Sequence, residues 1–199
     1  MARDMTPVLK RCRALGIEPA FLGIDKKSNR HQNVRNNKKV SEYGAQLKEK
    51  QKAKFIYGVL EKPFRNYFEK ASKIKTGTTG DNLMIILETR LDNVIFRLGF
   101  ARTRDEAKQI VSHRHVTVNG KTVNIASYAV KAGDVIEIKE SAKASIRYKD
   151  ILDVTGGRLV PEWLTADQDK LSGKVVAIPR REQIDVPVNE VAIVELYSK

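Results

Sequence analysis

The residues in this sequence best suited to chemistry are cations. Arg97, Arg102, Arg104, Lys108, Arg114 and Lys121 lie close together in the chain, with Thr103 and His113 among them. A guanidinium grips two phosphate oxygens at once, and a helix that starts beside it adds backbone amides to the same anion. A second concentration, Arg30 to Lys39, reads RHQNVRNNKK. It mixes the long cations Arg30, Arg35, Lys38 and Lys39 with Asn and Gln, side chains that donate to phosphates and base edges alike. Arg3, Lys10, Arg11 and Arg13 precede it, and Lys48, Lys50, Lys52, Lys54, Arg65 and Lys73 follow.

The distribution of charge narrows the partner. The 199 residues carry a net charge of +13. Residues 1–80 hold 19 Lys/Arg against 7 Asp/Glu, whereas the rest of the chain is balanced to within one charge. Such an excess repels itself in a folded state, and a phosphate backbone that gives up its counterions removes the cost. Nucleic acid therefore ranks first. An anionic membrane ranks second and is disfavoured, because nothing before residue 40 shows a broad apolar helix face. The longest apolar run, Leu83 to Leu87, is too short to span a bilayer.

Other chemistry finds little support. His113 and His115 are spaced wrongly for one helical face, and no carboxylate motif completes a metal site. The single cysteine, Cys12, cannot form an internal disulfide, which fits a reducing compartment. Its neighbours Arg11 and Arg13 could lower its pKa, but no base accompanies it, so it reads as a bystander thiol. The first residues reach Lys10 without an apolar segment of secretory type, and a cytoplasmic location is expected.

The elements that must hold these residues follow from patterning. Residues 1–40 have few apolar positions at regular spacing and read as an extended basic arm ordered by its partner. Glu42 to Leu60 reads as an amphipathic helix, with Leu47, Phe55, Ile56, Val59 and Leu60 opposite the lysines. Pro63 suits a first helical position ahead of Phe64, Tyr67, Phe68, Ala71 and Ile74, which read as core. Lys75 to Gly80 is a connector, because no GK[ST] follows its glycines, and Asp81 is placed to cap a third helix through Leu83, Met84, Ile86 and Leu87.

From Leu87 to Lys139 the signals are denser. Thr89 and Asp92 have capping-box spacing, and Gly99 sits where a helix stops. Thr103 and Glu106 form a second box, before a helix from Arg104 to about His113. Val116 to Val123 alternates around Asn119-Gly120, a hairpin signal, and Gly133-Asp134 leads into another strand at Val135. The result is a compact ααβ unit. Past Glu140 no positive excess remains, and Val191 to Tyr197 has the composition of a strand that docks on the body.

These strings resemble a known family. Residues 89–139, TRLDNVIFRLGFARTRDEAKQIVSHRHVTVNGKTVNIASYAVKAGDVIEIK, look like the small RNA-binding module named after ribosomal protein S-four. SEYGAQLKEKQKAKFIYGVLE, FRNYF and VNEVAIVELYSK on its flanks resemble the bacterial S-four ribosomal proteins over nearly the whole chain. The resemblance implies an α+β protein in which the ααβ module is inserted into a mainly helical domain. In this chain it would give a basic arm at 1–40, a helical domain at 41–88 completed by 184–199, and an inserted domain at 89–183 with its core at 89–139.

The resemblance also implies a non-enzymatic role. Family members bind 16S rRNA directly at a multi-helix junction of its 5′ domain and nucleate assembly of the 30S body. They lie beside protein S-five, where they affect translational accuracy, and beside protein S-three where messenger RNA enters; some repress their own messenger. Arg35, Lys38 and Lys39 correspond roughly to the family's basic run at the messenger channel. Many members carry four zinc-binding cysteines in the arm, at positions that here read Leu9, Cys12, Lys26 and His31. Leucine offers no ligand and lysine is not a usual one, so a zinc-free form is expected, without cofactors. Two other readings compete. Arg90-Leu91-Asp92 resembles a catalytic motif of RNA pseudouridine synthases, which share the module, but Ile95 stands where that motif has threonine and too little chain remains for a catalytic domain. Free-standing chaperones or regulators with the module lack the helical flanks that this chain has.

Overall fold

A computed structural model of the protein describes residues 6–26 and 41–198. In chain order the helices are α1 (Val8–Leu15), α2 (Glu42–Ile56), α3 (Glu61–Lys73), α4 (Thr79–Glu88), α5 (Leu91–Arg97), α6 (Arg104–Ser112), α7 (Glu140–Lys143), α8 (Ile146–Thr155) and α9 (Glu190–Tyr197). The strands are β1 (Val116–Val118), β2 (Lys121–Val123), β3 (Val135–Ile138), β4 (Leu164–Asp167) and β5 (Ser172–Val175). The chain divides into two compact units. One comprises the described residues up to Met84 with those from Asp185 onward, and the other is Ile85–Ile184.

The first unit is helical. Ser41 caps α2 by accepting from the Gly44 amide, and α3 begins at Glu61, so Pro63 occupies its third position and not its first. The start of α4 is held by Thr78, whose hydroxyl accepts from the Asp81 amide; Asp81 lies inside the helix and does not cap it. Part of the stretch expected to be extended is ordered by its own apolar residues. Helix α1 stops at Gly16 in the left-handed region, a short 3-10 turn follows at Pro19–Leu22, and Cys12, Ile17 and Leu22 are buried. Only Cys12 lies on α1; Ile17 and Leu22 bury the connection and the turn that follow it, so the order comes from the helix and turn together.

The segment Val191 to Tyr197 is helical, against the strand expected from its β-branched residues. Asn189 caps α9 by accepting from the amides of Val191 and Ala192, and Ile193 and Tyr197 then fall on one face. Ile193 is fully buried, and Tyr197 stacks on Phe68 at 4.5 Å. Gln46 on α2 donates to Glu195 on α9 at 2.9 Å. Tertiary packing and a cap have overridden intrinsic preference.

The second unit places helices on an antiparallel sheet of order β2-β1-β3-β5-β4. The hairpin is where the sequence put it, with Val118 opposite Lys121 and both Asn119 and Gly120 at positive φ, as a two-residue turn of this hand requires. The sheet is larger than expected, because β4 and β5 extend it beyond β3. At Gly173 in β5, a Cβ would come within 2.5 Å of Leu98, so glycine lets the strand lie directly against the end of α5. The core contains Leu91, Ile95, Leu98, Phe100, Ile110, Val116, Ile136, Ile151 and Trp163.

Candidate nucleic-acid interface

The stretch between α5 and α6 is built by local signals. Gly99, at φ 82°, ends α5, and Thr103 starts α6 by accepting from the Glu106 amide. Glu106 does not reach back to Thr103 to close the expected box. Its carboxylate accepts from the backbone and side chain of Arg102, and from Arg147 on α8 at 3.1 Å. Burial alone would raise the Glu106 pKa, but these donors outweigh it and hold the carboxyl below its ordinary value. Arg102 keeps about half of its side chain exposed while it is paired.

Arg104, expected from the sequence as a phosphate donor, is engaged inside the protein. It is 7% exposed, its Nε donates to Asn93 Oδ1 at 2.8 Å, and its guanidinium lies 4.2 Å from the centre of the Phe96 ring. Reversing it to Glu would break this buried network. Arg97 is likewise held, by Glu88 at 2.6 Å. Nor do Thr89 and Asp92 form a capping box. Thr89 donates to the Ile85 carbonyl, and Asp92 is buried against Arg90 and the Asn93 amide. That pairing gives Arg90-Leu91-Asp92 a structural part.

Beyond α6 the cations face outward. His113, Arg114 and Lys121 are exposed, and Lys108 on α6 is half-buried. Arg114 sits at φ 64° and has no carboxylate partner among the described residues. The His115 pKa is pushed down, first by burial and then by the charges of His113, Arg147 and Lys139. A group of like charges that opposes protonation of a neighbour is a place where a phosphate is welcome. His115, Lys139 and Arg147 were not singled out from the sequence, since no spacing rule joins three separate segments.

In the helical unit the α2 lysines are engaged. Lys50 and Lys54 both bind Glu61, at 2.9 and 2.6 Å, and Lys52 binds Glu49. Burial would raise Glu61, but hydrogen bonds from Lys54 and Lys50 hold it at about 2. Arg65 pairs with Glu69, whereas Lys48 and Lys73 are exposed. On α1, Lys10 is exposed, Arg11 covers the Phe55 ring at 4.6 Å, and Arg13 donates to the Leu9 carbonyl. Arg3, Arg30, Arg35, Lys38 and Lys39 lie outside the described residues.

Among the described residues, the positions matching the family's zinc ligands do not make up a zinc site. Leu9 has no donor, Lys26 is an exposed ammonium and Cys12 is buried; His31 lies outside the described residues. Burial also raises the Cys12 thiol, opposite to what its flanking arginines suggest from sequence. Among the described residues no group of three His, Cys, Asp or Glu is placed to hold a metal, and no helix is long and apolar enough to cross a membrane.

The fold is α+β, mainly helical with a small antiparallel sheet, and comparison with known proteins gives its class. The S4 domain family matches residues 89–136, and the ribosomal protein S4/S9 N-terminal domain matches residues 3–88. The chain is 73% identical over 199 residues to small ribosomal subunit protein uS4 of Lachnoclostridium phytofermentans and 70% identical over 200 residues to that of Lachnospira eligens. It is 51% identical over 200 residues to that of Fusobacterium nucleatum; in all three cases the whole of both chains is covered. The chain belongs to the family of small ribosomal subunit protein uS4. It is thus a ribosomal protein of the small subunit with an RNA-binding S4 domain, a structural component of a cytoplasmic particle and not an enzyme.

Proposed function

We propose that this protein binds 16S rRNA directly, at a multi-helix junction of the 5′ domain, and that this contact nucleates assembly of the 30S body. The observation that carries the reading is the outward pair of cations Arg114 and Lys121 with His113 exposed beside them, supported by the like charges around His115. Rigid helices and a hairpin hold such groups at fixed spacing, so one arrangement of RNA helices is favoured by shape more than by sequence. Lys10, Lys48, Lys73, Arg102 and Lys108 add phosphate contacts on their own units, and Arg3, Arg30, Arg35, Lys38 and Lys39 contribute from the arm. The helical domain 41–88 with 184–199 carries the inserted domain 89–183. Contacts with proteins S-five and S-three, an influence on accuracy and proximity to incoming messenger RNA extend the same reading.

The test is a titration of the full chain against a 5′-domain transcript, repeated across salt concentrations and in competition with unrelated RNA. Tight binding that falls steeply with salt and resists the competitor supports the proposal. Equal affinity for any RNA of that length overturns it, and leaves only a nonspecific basic surface.

A further inference from the structure

The matched S4 domain ends at residue 136, yet the turn between α5 and α6 is held from beyond that point. Three side chains from α8 and the turn after it reach back to it. Arg158 Nη1 donates to the carbonyls of Phe96 at 3.0 Å and Ala101 at 3.1 Å, and its Nη2 donates to the Arg102 carbonyl at 3.0 Å. The same guanidinium lies 4.3 Å from the centre of the Phe96 ring, against which Arg104 also packs. The Thr155 hydroxyl, 1% exposed, shares its one proton between the Gly99 carbonyl at 2.6 Å and the Ile151 carbonyl of its own helix at 2.8 Å, and Arg147 holds Glu106.

We propose that Arg158, assisted by Thr155, is a positioning residue for RNA binding, which fixes the turn from Gly99 to Thr103 so that Arg102 and the start of α6 are presented in one geometry. The inference rests on the RNA-binding reading above. The carbonyls at the end of α5 and in the turn point their lone pairs at one place, and a planar fork with several N–H groups satisfies three of them together. A lysine there carries the same charge on a single point and cannot span them. Without the clamp the turn samples other shapes, and affinity falls by the fraction of time that the competent one is lost. Arg158 serves through backbone carbonyls and has no phosphate contact of its own.

The experiment uses the full-length chain and the 5′-domain transcript, with Arg158→Met, Arg158→Lys, Thr155→Val and Thr155→Ser. Wild-type binding is measured first, and its absence would refute the RNA reading itself, separately from the clamp. If the turn of R158M is competent one time in ten, affinity drops about tenfold at every salt concentration, with an unchanged slope of log affinity against log salt. Amide hydrogen exchange at 102–106 accelerates, and R158K does not restore binding. T155V moves in the same direction by less, and T155S, which keeps the hydroxyl, binds as wild type; this pair decides the matter should R158M fail to fold. A slope reduced by about one in R158M means that Arg158 itself touches a phosphate, and overturns the proposal. So does full rescue by R158K, or wild-type affinity in a folded R158M together with T155V.

Discussion

Helix α2 carries four lysines and the segment from His113 to Lys121 one arginine and one lysine, and the two use them differently. On α2, Lys50, Lys52 and Lys54 neutralise Glu61 and Glu49 of their own chain. From His113 onward, Arg114 and Lys121 have no carboxylate partner among the described residues. The denser basic run in the sequence is therefore the poorer in available charge. What a polyanion meets is the charge left after internal pairing, and pairing is a property of the fold.

Inside the second unit, Arg104 and Arg114 are ten residues apart in sequence and opposite in setting, one buried and one exposed. Arg104→Glu places an unpaired carboxylate beside Asn93 and Phe96, and should cost about 3 kcal/mol or more, seen as a large loss of urea or thermal stability. Arg114→Glu should change stability by no more than about 0.5 kcal/mol. Equal destabilisation by the two would erase the distinction.

Next in size is the RNA response. Arg114→Glu combined with Lys121→Glu should weaken binding to the 5′-domain transcript at least about tenfold and lower the salt slope by about two, one for each phosphate contact. A double variant with the wild-type slope would show that this edge faces away from the RNA.

A smaller effect sharpens the other half. Glu61→Gln releases Lys50 and Lys54, so affinity should rise a few-fold if α2 approaches RNA and stay constant if it does not. The folded pKa of about 2 lies below the ordinary 4.5, so the stabilisation from this carboxylate is full above about 4.5 and is lost as pH falls toward 2. Acid unfolding curves should be correspondingly shallower in E61Q over that window.

The smallest change concerns His115. Burial and its cationic neighbours depress its pKa, and a bound phosphate offsets those charges and raises it again. Binding then takes up a proton, so affinity should strengthen modestly as pH falls from 8 toward 6, and His115→Gln should flatten that profile. A flat profile in the wild type would mean that no phosphate sits near the ring.

Legibility in the sequence tracked how local the signal was. Gly99, Thr103 and Asn119-Gly120 each act within a few residues, and the elements that they punctuate were found close to their limits. Strands β4 and β5 and helix α8 have no strong local signal, because their stability comes from distant partners such as Leu98 against Gly173. The roles of Arg104 and Arg158 were invisible for the same reason. Their acceptors lie 11 and 56 to 62 residues away in the chain, beyond any motif. Helix α9 carries a strand-like local signal, because Val191, Ile193 and Val194 favour strands, while Asn189 and the aromatic cluster decide otherwise.

The pairing of α2 with α9 also sets a timetable for synthesis. The bond between Gln46 and Glu195 spans 149 residues, whereas every strand of the sheet lies between positions 116 and 175. During translation the second unit can close on itself from a continuous stretch of nascent chain. The first must keep the inner face of α2 uncovered until Tyr197 has been made, and that long-range closure is intrinsically slow. Between the completion of β5 at Val175 and that of α9 at Tyr197, this protein is a finished sheet preceded by an unfinished helical unit.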